Sequence, residues 1–420
     1  MRTGEAGVPF AGGTGANAPK ALPPGRVIIM RTMDRIERYR DEVLGCIEPL
    51  GPERVATAAA AGRFLAEAAH AGRAAPPDTC SAMDGFAVRA AEVGGPVPLR
   101  VVRTIYAGEA PGEPIGGGEA ARIYTGAPLP PGADAVVREE AARESAGVVT
   151  IRGSVGAGEN VRLAGEDVAV GGMALPAGVR LGPRQLALLR AVGVEEVSAV
   201  RRPRVMVLST GDEIRSGRTP DSNGTAIAAL ARSIGAEVIA EAVEDDLERL
   251  AAEVANGLAR CDAVITIGGV SVGARDLVPE ALKRLGGDVR VHGVPMKPGK
   301  PFLFALARGR PLFGLPGSPS ACLVAFEVFA RPALLRLAGS SRPFRRTLRL
   351  PLGEPVSGRA GRARLLWARV DEGGRAIPVG RDAAQVRGPA LAEALIALKE
   401  DTAELSSGEM VEVWLLEEDS

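Results

Sequence analysis

Residues 204–339 alternate apolar strings with helical patterns, and this alternation limits the fold more than any other feature of the chain. The strings "RVMVLST", "AEVIAEAV", "DAVITIGG", "DVRVHGV", "PFLFALA" and "RPLFGLPG" read as strands. Helices are expected near 227–234, 247–258, 277–285 and 320–337. Strands alternating with helices predict a doubly wound, largely parallel sheet. The flanks have another texture. Within 71–160, "PLRVVRTIYAG", "AARIYTGAPLP" and "ADAVVREE" sit between Gly and Pro clusters, which predicts a small all-β domain. Beyond 342, "TLRLPL", "LLWARV" and "MVEVWLL" predict a small β-barrel or open β domain. Ile36, Tyr39, Val43 and Ile47 fall at helical spacing, so 35–47 is an amphipathic helix. The stretch "GEDVAVGGMALPAGVRLGPRQLALLRAVGV" supplies a turn, a short strand and a helix over 183–191. The fold class is therefore multidomain α/β plus all-β, and 420 residues leave room for about three domains.

Charge excludes some functions. The 51 basic residues balance 51 acidic ones, and no basic stripe interleaves with aromatics, so nucleic acid is not an expected partner. No run approaches the ~18 continuous apolar residues of a membrane span. Residues 1–32, rich in Gly, Ala and Pro, read as a disordered extension and not as a signal peptide. Cys46, Cys80, Cys261 and Cys322 are scattered without CxxC spacing, as expected of reduced thiols in a cytoplasmic protein. Only two histidines exist, His70 and His292, which leaves no His-rich metal site.

In open α/β sheets, ligands gather outside the carboxyl ends of the strands. Here "VMVLST" runs into Gly211-Asp212-Glu213, and "EVIAEAV" into Glu244-Asp245-Asp246. "DAVITI" runs into Gly268-Gly269 and, after a loop, Asp276. "FGLPGSPS" brings Pro316, Ser318, Pro319 and Ser320, while "MKPGKP" holds Lys297 and Lys300 between prolines. Loop glycines offer N–H groups to a phosphate. Glu213, Asp245, Asp246 and Asp276 beside such a loop call for a cation, and Mg²⁺ accepts a few carboxylates together with phosphate oxygens. Taken singly, each acid is equally a helix cap or a solvated turn.

Gly269-Val270-Ser271-Val272-Gly273 also fits the G-x-S-x-G elbow of a serine nucleophile. That chemistry needs a downstream histidine, and His292, inside "DVRVHGV", is the only one. Ser271 is read instead as a hydroxyl donor to a phosphate oxygen, flanked by Gly268, Gly269 and Gly273. Asp84 in "PPDTCSAMDGFAVRA", Thr125 in "IYTGAPLPPGADAVV" and Asp167 in "NVRLAGEDV" each stand beside glycine as turn residues would.

Together the strings "SAMDGFAV", "YTGAPLPPGADAVV", "NVRLAGEDV", "STGDE", "GGVSVGARD", "MKPGKP" and "GLPGSPS" cover roughly 36–420. In this order the chain resembles the molybdopterin molybdenumtransferases, the MoeA family that includes the C-terminal domain of gephyrin. The resemblance implies a four-domain homodimer. Its parts would be the extension 1–32, a discontinuous domain at 33–70 and 166–202, an inserted β domain at 71–165, a molybdopterin-binding α/β domain at 203–341, and a C-terminal β domain at 342–420. It implies that adenylylated molybdopterin and molybdate are the substrates, that metal enters the dithiolene, and that AMP leaves with the assistance of Mg²⁺. Contact with the molybdopterin adenylyltransferase is implied as well.

Carried over by motif, Glu213, Asp276, Asp245 and Asp246 would hold Mg²⁺ or orient the adenylylated phosphate. Lys297 and Lys300 would bind molybdate or pterin phosphate, with Ser318 and Ser320 nearby. Asp84, Thr125 and Asp167 would complete the site from the other subunit. The chain departs from the family at "DTCSAMDGF" and "GSPSA". Cys80 and Ser318 replace asparagines and Ser320 replaces a valine, as a tungstate-preferring paralogue would allow. A gephyrin-like scaffold is the non-enzymatic alternative.

Overall fold

The computed structural model describes residues 33–270, 276–358, 361–380 and 385–416. Residues 1–32, together with Ser271 and Gly273, lie outside them. The central sheet runs in the order Glu237–Val243, Arg204–Thr210, Ala263–Ile267, Arg310–Leu315, Leu303–Ala307, Asp288–His292. Neighbours among the first four are parallel, and Leu303–Ala307 is antiparallel to both of its neighbours. Period-two patterning separates the two faces. Val205 and Val207 pack with Ile227 and Ala231 on one side, Met206 and Leu208 with Leu250, Val254 and Val278 on the other. Helix Ser222–Ser233 thus covers one face, and helices Leu247–Arg260 and Leu277–Arg284 the other.

The helix Met33–Gly45 buries Ile36 and Val43, followed by Ile47, in the core of this α/β unit. Strands further along pair across a long interruption. Pro52–Ala56 is antiparallel to Glu196–Val200, and Ala69–His70 to Met173–Leu175, with helix Pro183–Ala191 between the latter and Glu196–Val200. The interruption carries a six-stranded sheet ordered Ala135–Arg138, Gly85–Val88, Glu119–Ile123, Val97–Ile105, Val148–Ile151, Ala142–Ser145.

The C-terminal sheet stays open, in the order Met296–Lys297, Ala363–Val370, Ala394–Leu398, Met410–Leu415, Thr347–Pro351. Its first strand comes from the "MKPGKP" segment, which the sequence places with the α/β unit. Met296 and Lys297 run parallel to Ala363 and Arg364. Pro298 has no N–H to give, so the pairing ends after two residues. A second tie joins the same two units. The Trp367 indole donates to Ser320 Oγ at 2.8 Å, with Ser320 only 2 % exposed. Trp367→Phe leaves that hydroxyl buried without its donor, a loss of about 1–3 kcal/mol. Ser320→Ala orphans the indole similarly, and the double variant should lose less than the sum. Denaturant midpoints of the four proteins test this cycle.

Candidate active site

From Arg204–Thr210 the chain moves first to one side, to Glu237–Val243, and then to the other, to Ala263–Ile267. The reversal opens a crevice at Thr210 and Ile267, where doubly wound sheets bind ligands. Three loops meet there. Thr210 Oγ1 donates to Ile267 O at 3.1 Å, and Gly268 N–H to Leu315 O at 2.9 Å. Gly268 holds φ at +88°, and a Cβ on it would lie 2.7 Å from Thr210 Oγ1. Only glycine fits that approach. A Cβ on Gly317 would sit 3.7 Å from Gly268 Cα, so the "GLPGSPS" turn lies against the glycine loop. Asn223 Nδ2 pins the turn by donating to Gly317 O at 2.7 Å.

His292, the only histidine downstream of Ser271 in the sequence, is otherwise engaged. Its Nε2 lies 3.2 Å from Val270 O, and because a carbonyl only accepts, this nitrogen carries the proton. The ring ties the glycine loop to strand Asp288–His292.

The acids stand at the strand ends but do not gather. Asp246 caps helix Leu247–Arg260 by accepting from Arg249 N–H at 2.9 Å. Asp212 accepts the Asp245 N–H at 3.1 Å. Glu213 is exposed in the short helix Asp212–Arg215, and Asp276 is the residue before helix Leu277–Arg284. Among the described residues no three His, Cys, Asp or Glu side chains are close enough to hold a metal. The hard oxygen donors still suit Mg²⁺, which needs one or two carboxylates when phosphates and water complete its shell.

Lys297 and Lys300 are exposed and form no ion pair among the described residues. They line two adjoining grooves. Lys297 faces one of about 800 Å³ with Ser320, Arg362, Arg364 and Trp367. Lys300 faces the other, of about 780 Å³, with Arg38, Arg290 and His292. Gly361 and Arg362 line both. Burial lowers the Arg364 pKa, and its guanidinium donates to Ser357 O and Thr402 O at 3.0 and 3.1 Å. Ser318 stands just before helix Pro319–Ala325 and Pro319 is its first residue. The turn therefore reaches from the glycine loop at Gly317 to the basic groove at Ser320.

In the inserted sheet the structure joins Asp84 to Thr125. Asp84 Oδ1 accepts from Thr125 N–H and from Thr125 Oγ1, both at 2.7 Å. These bonds hold the carboxyl below its ordinary range, so it is ionised at neutral pH. The Asp-Gly pair predicts a turn, but Gly85 does not turn. It begins strand Gly85–Val88, and a Cβ there would lie 2.0 Å from Val137 O. Asp167 is exposed in a nearby turn. Its N–H donates to Ala75 O, and strand Cys80–Ser81 pairs with Val161–Arg162 just before it. Asp84 and Thr125 are thus joined at one end of the inserted sheet, while Asp167 stands in the flanking segment that leads away from it.

A doubly wound domain with loops converging at its switch point, bordered by basic grooves, defines a multidomain α/β protein built to bind anionic ligands. Residues 34–193 match the MoeA N-terminal region (domain I and II), residues 206–336 a probable molybdopterin binding domain, and residues 349–416 the MoeA C-terminal region (domain IV). A molybdopterin molybdenumtransferase of Staphylococcus aureus (strain MRSA252) is 34% identical over 357 residues, 81% of this chain and 85% of that protein. Molybdopterin molybdenumtransferase 2 of Mycobacterium tuberculosis (strain H37Rv) is 35% identical over 405 residues, 92% of this chain and 99% of that one. The crystal structure of a molybdopterin biosynthesis MoeA protein from Pyrococcus horikoshii superposes with a TM-score of 0.74 at 33% identity, covering 91% of this chain and 99% of that one. The chain belongs to the MoeA family.

Proposed function

We propose that the chain inserts molybdenum into molybdopterin, taking adenylylated molybdopterin and molybdate and giving molybdenum cofactor and AMP. The observation that carries this reading is the short path from the switch-point glycines to the basic groove. Gly317 touches Gly268, and Ser320, three residues on, lines the groove with Lys297, Arg362 and Arg364. A phosphate near the Gly269 N–H and an oxyanion at Lys297 would lie within one elongated cleft. The protein's task is to hold two anions together, a matter of orientation and charge. No side-chain nucleophile is needed. Mg²⁺, held by Glu213 or Asp276 together with substrate phosphates, would neutralise charge on the adenylyl group.

The same reading takes the protein as a cytoplasmic homodimer supplied by the molybdopterin adenylyltransferase, with Asp84, Thr125 and Asp167 facing the partner's α/β domain. Retention of Asp84, Glu213, Asp276, Lys297 and Lys300 favours the enzyme over a gephyrin-like scaffold, which has no use for them. No helix among the described residues is long and apolar enough to cross a membrane.

The test incubates the protein with adenylylated molybdopterin, Mg²⁺ and either molybdate or tungstate, following AMP and metal cofactor. AMP release with molybdate is expected. Faster turnover with tungstate would establish the tungstate-preferring reading, and no release with either oxyanion would overturn the enzyme. Lys297→Met should raise the KM for the oxyanion about tenfold, since a hydrogen bond to a charged group is worth about 1.5–3 kcal/mol. Glu213→Ala should slow AMP release most at limiting Mg²⁺, with thermal stability unchanged because its side chain is exposed.

A further inference from the structure

Arg364 is a buried cation without a counter-charge. It lies in strand Ala363–Val370 and is 7 % exposed. Nη1 and Nη2 donate to Ser357 O and Thr402 O, so two neutral carbonyls fix the guanidinium in place. Nε is buried with no acceptor, and no carboxylate pairs with the group among the described residues. Arginine stays protonated in proteins, so the charge remains. Burying a charge is costly unless something pairs with it. Space is nevertheless kept for this one, since a Cβ on Gly358 would overlap Arg364 Nη1. The surroundings add positive charge. Lys297 pairs in register with Arg364 across the parallel strands, so both side chains leave the same face of the sheet. Both line the groove of about 800 Å³ together with Arg362. Glu354 is the one acid lining it among the described residues, and it is exposed.

We propose that the free oxyanion substrate supplies the counter-charge that Arg364 lacks, so that Arg364 makes the groove select a tetrahedral dianion over a monoanion. The inference rests on the reading of this groove as the oxyanion site. Lys297 is exposed, and water screens its charge. Arg364 is withdrawn from water, where a charge acts more strongly on its neighbours. Lys297 alone matches one negative charge, and the pair matches two. Coulomb energy scales with the charge of the ligand, so a dianion gains twice what a monoanion gains from the same cation. The pterin phosphate stays at the glycine loop in this reading, which leaves the free oxyanion to Arg364.

Equilibrium dialysis of the full chain tests this with two tetrahedral oxyanions, divalent molybdate and monovalent perrhenate. Arg364→Met should weaken molybdate binding about tenfold, the scale of losing an interaction with a charged group. Perrhenate should weaken only about threefold, the square root of that factor, because it carries half the charge. Gly358→Ala keeps every charge but displaces the guanidinium, and it should weaken molybdate as well. This second variant decides the matter if Arg364→Met does not fold. Equal losses for the two anions, or no loss for either, would overturn the proposal and leave Arg364 as a tie for two carbonyls. Inorganic phosphate should displace molybdate poorly. Equal displacement would give the counter-charge to a phosphate of the pterin substrate and overturn the free oxyanion. Lys297→Met in the same assay separates this failure from that of the parent reading. Weakened molybdate there beside unchanged binding in Arg364→Met removes the role of Arg364 alone, whereas no molybdate binding by the wild type removes the oxyanion groove itself.

Discussion

Asp262→Ala is expected to lose about 3 kcal/mol of stability without altering ligand binding, because the carboxylate sits at the end of the sheet opposite the crevice. Asp262 immediately precedes strand Ala263–Ile267 and is 4 % exposed. Its oxygens accept from Arg201 Nη1 and Nη2 at 2.7 and 2.6 Å, from Arg310 Nη1 at 2.6 Å, and from Arg204 N–H at 2.9 Å. Arg204 and Arg310 are the first residues of the two strands flanking Ala263–Ile267, so one carboxylate fastens three neighbouring strand starts. Removing one partner of a buried ion pair costs about 3–5 kcal/mol. The lower figure applies here, since the Arg201 and Arg310 side chains are 38% and 39% exposed and can rehydrate. Asp262→Asn keeps an acceptor for the Arg204 N–H and should lose less. Denaturant unfolding at neutral pH measures both, and an alanine variant as stable as wild type would refute the account.

The same group sets a pH dependence. Burial pushes the Asp262 pKa up, but Arg201, the Arg204 N–H and Arg310 pull it down further, and the net shift is downward. A carboxyl with a depressed folded pKa contributes fully above its unfolded value of about 3.9 and loses that contribution as pH falls toward the folded value. The stability gap between wild type and Asp262→Ala should therefore be constant from neutral pH down to about 5 and narrow below about 4.

Local pattern made much of this legible in the sequence. All six strands of the α/β unit fall within the apolar strings named for them, and helices Pro183–Ala191 and Leu247–Arg260 follow the expected spacing. Non-local pairing was not legible. Nothing in "MKPGKP" announces that Met296 and Lys297 join a strand near residue 363, or that Ser320 meets Trp367. Lys297 and Lys300 look equivalent in one dimension, yet they face different grooves. Asp246 shows the opposite case, since an acid directly before a helical pattern is the ordinary N-cap signal and the structure uses it so. Asn223 stands in "PDSNG", where nothing in the local pattern shows the amide that anchors Gly317. Asp84 and Thr125, 41 residues apart, were gathered only by resemblance. Their mutual hydrogen bonds now give the grouping a physical basis.

Mixing two inactive variants is expected to restore activity if Asp84 serves the partner's α/β domain. Asp84→Ala and Asp276→Ala homodimers should each be strongly impaired, for every site in them lacks one carboxylate. The two residues belong to separate units of one chain, Asp84 just before strand Gly85–Val88 of the inserted sheet and Asp276 before helix Leu277–Arg284 of the α/β unit. A two-fold dimer builds both of its sites from the same pair of surfaces, so each shared site draws one residue from each subunit. In a heterodimer of the variants, one site then collects both lesions and the other has none. Equal mixing with random exchange gives about half heterodimers, so with independent sites AMP release should return to roughly a quarter of the wild-type value. If Asp84 served the α/β domain of its own chain, every site would hold one lesion and mixing would restore nothing. Subunit exchange is verified by mass-tagged chains in the same sample, so a flat result with exchange complete would exclude the shared site.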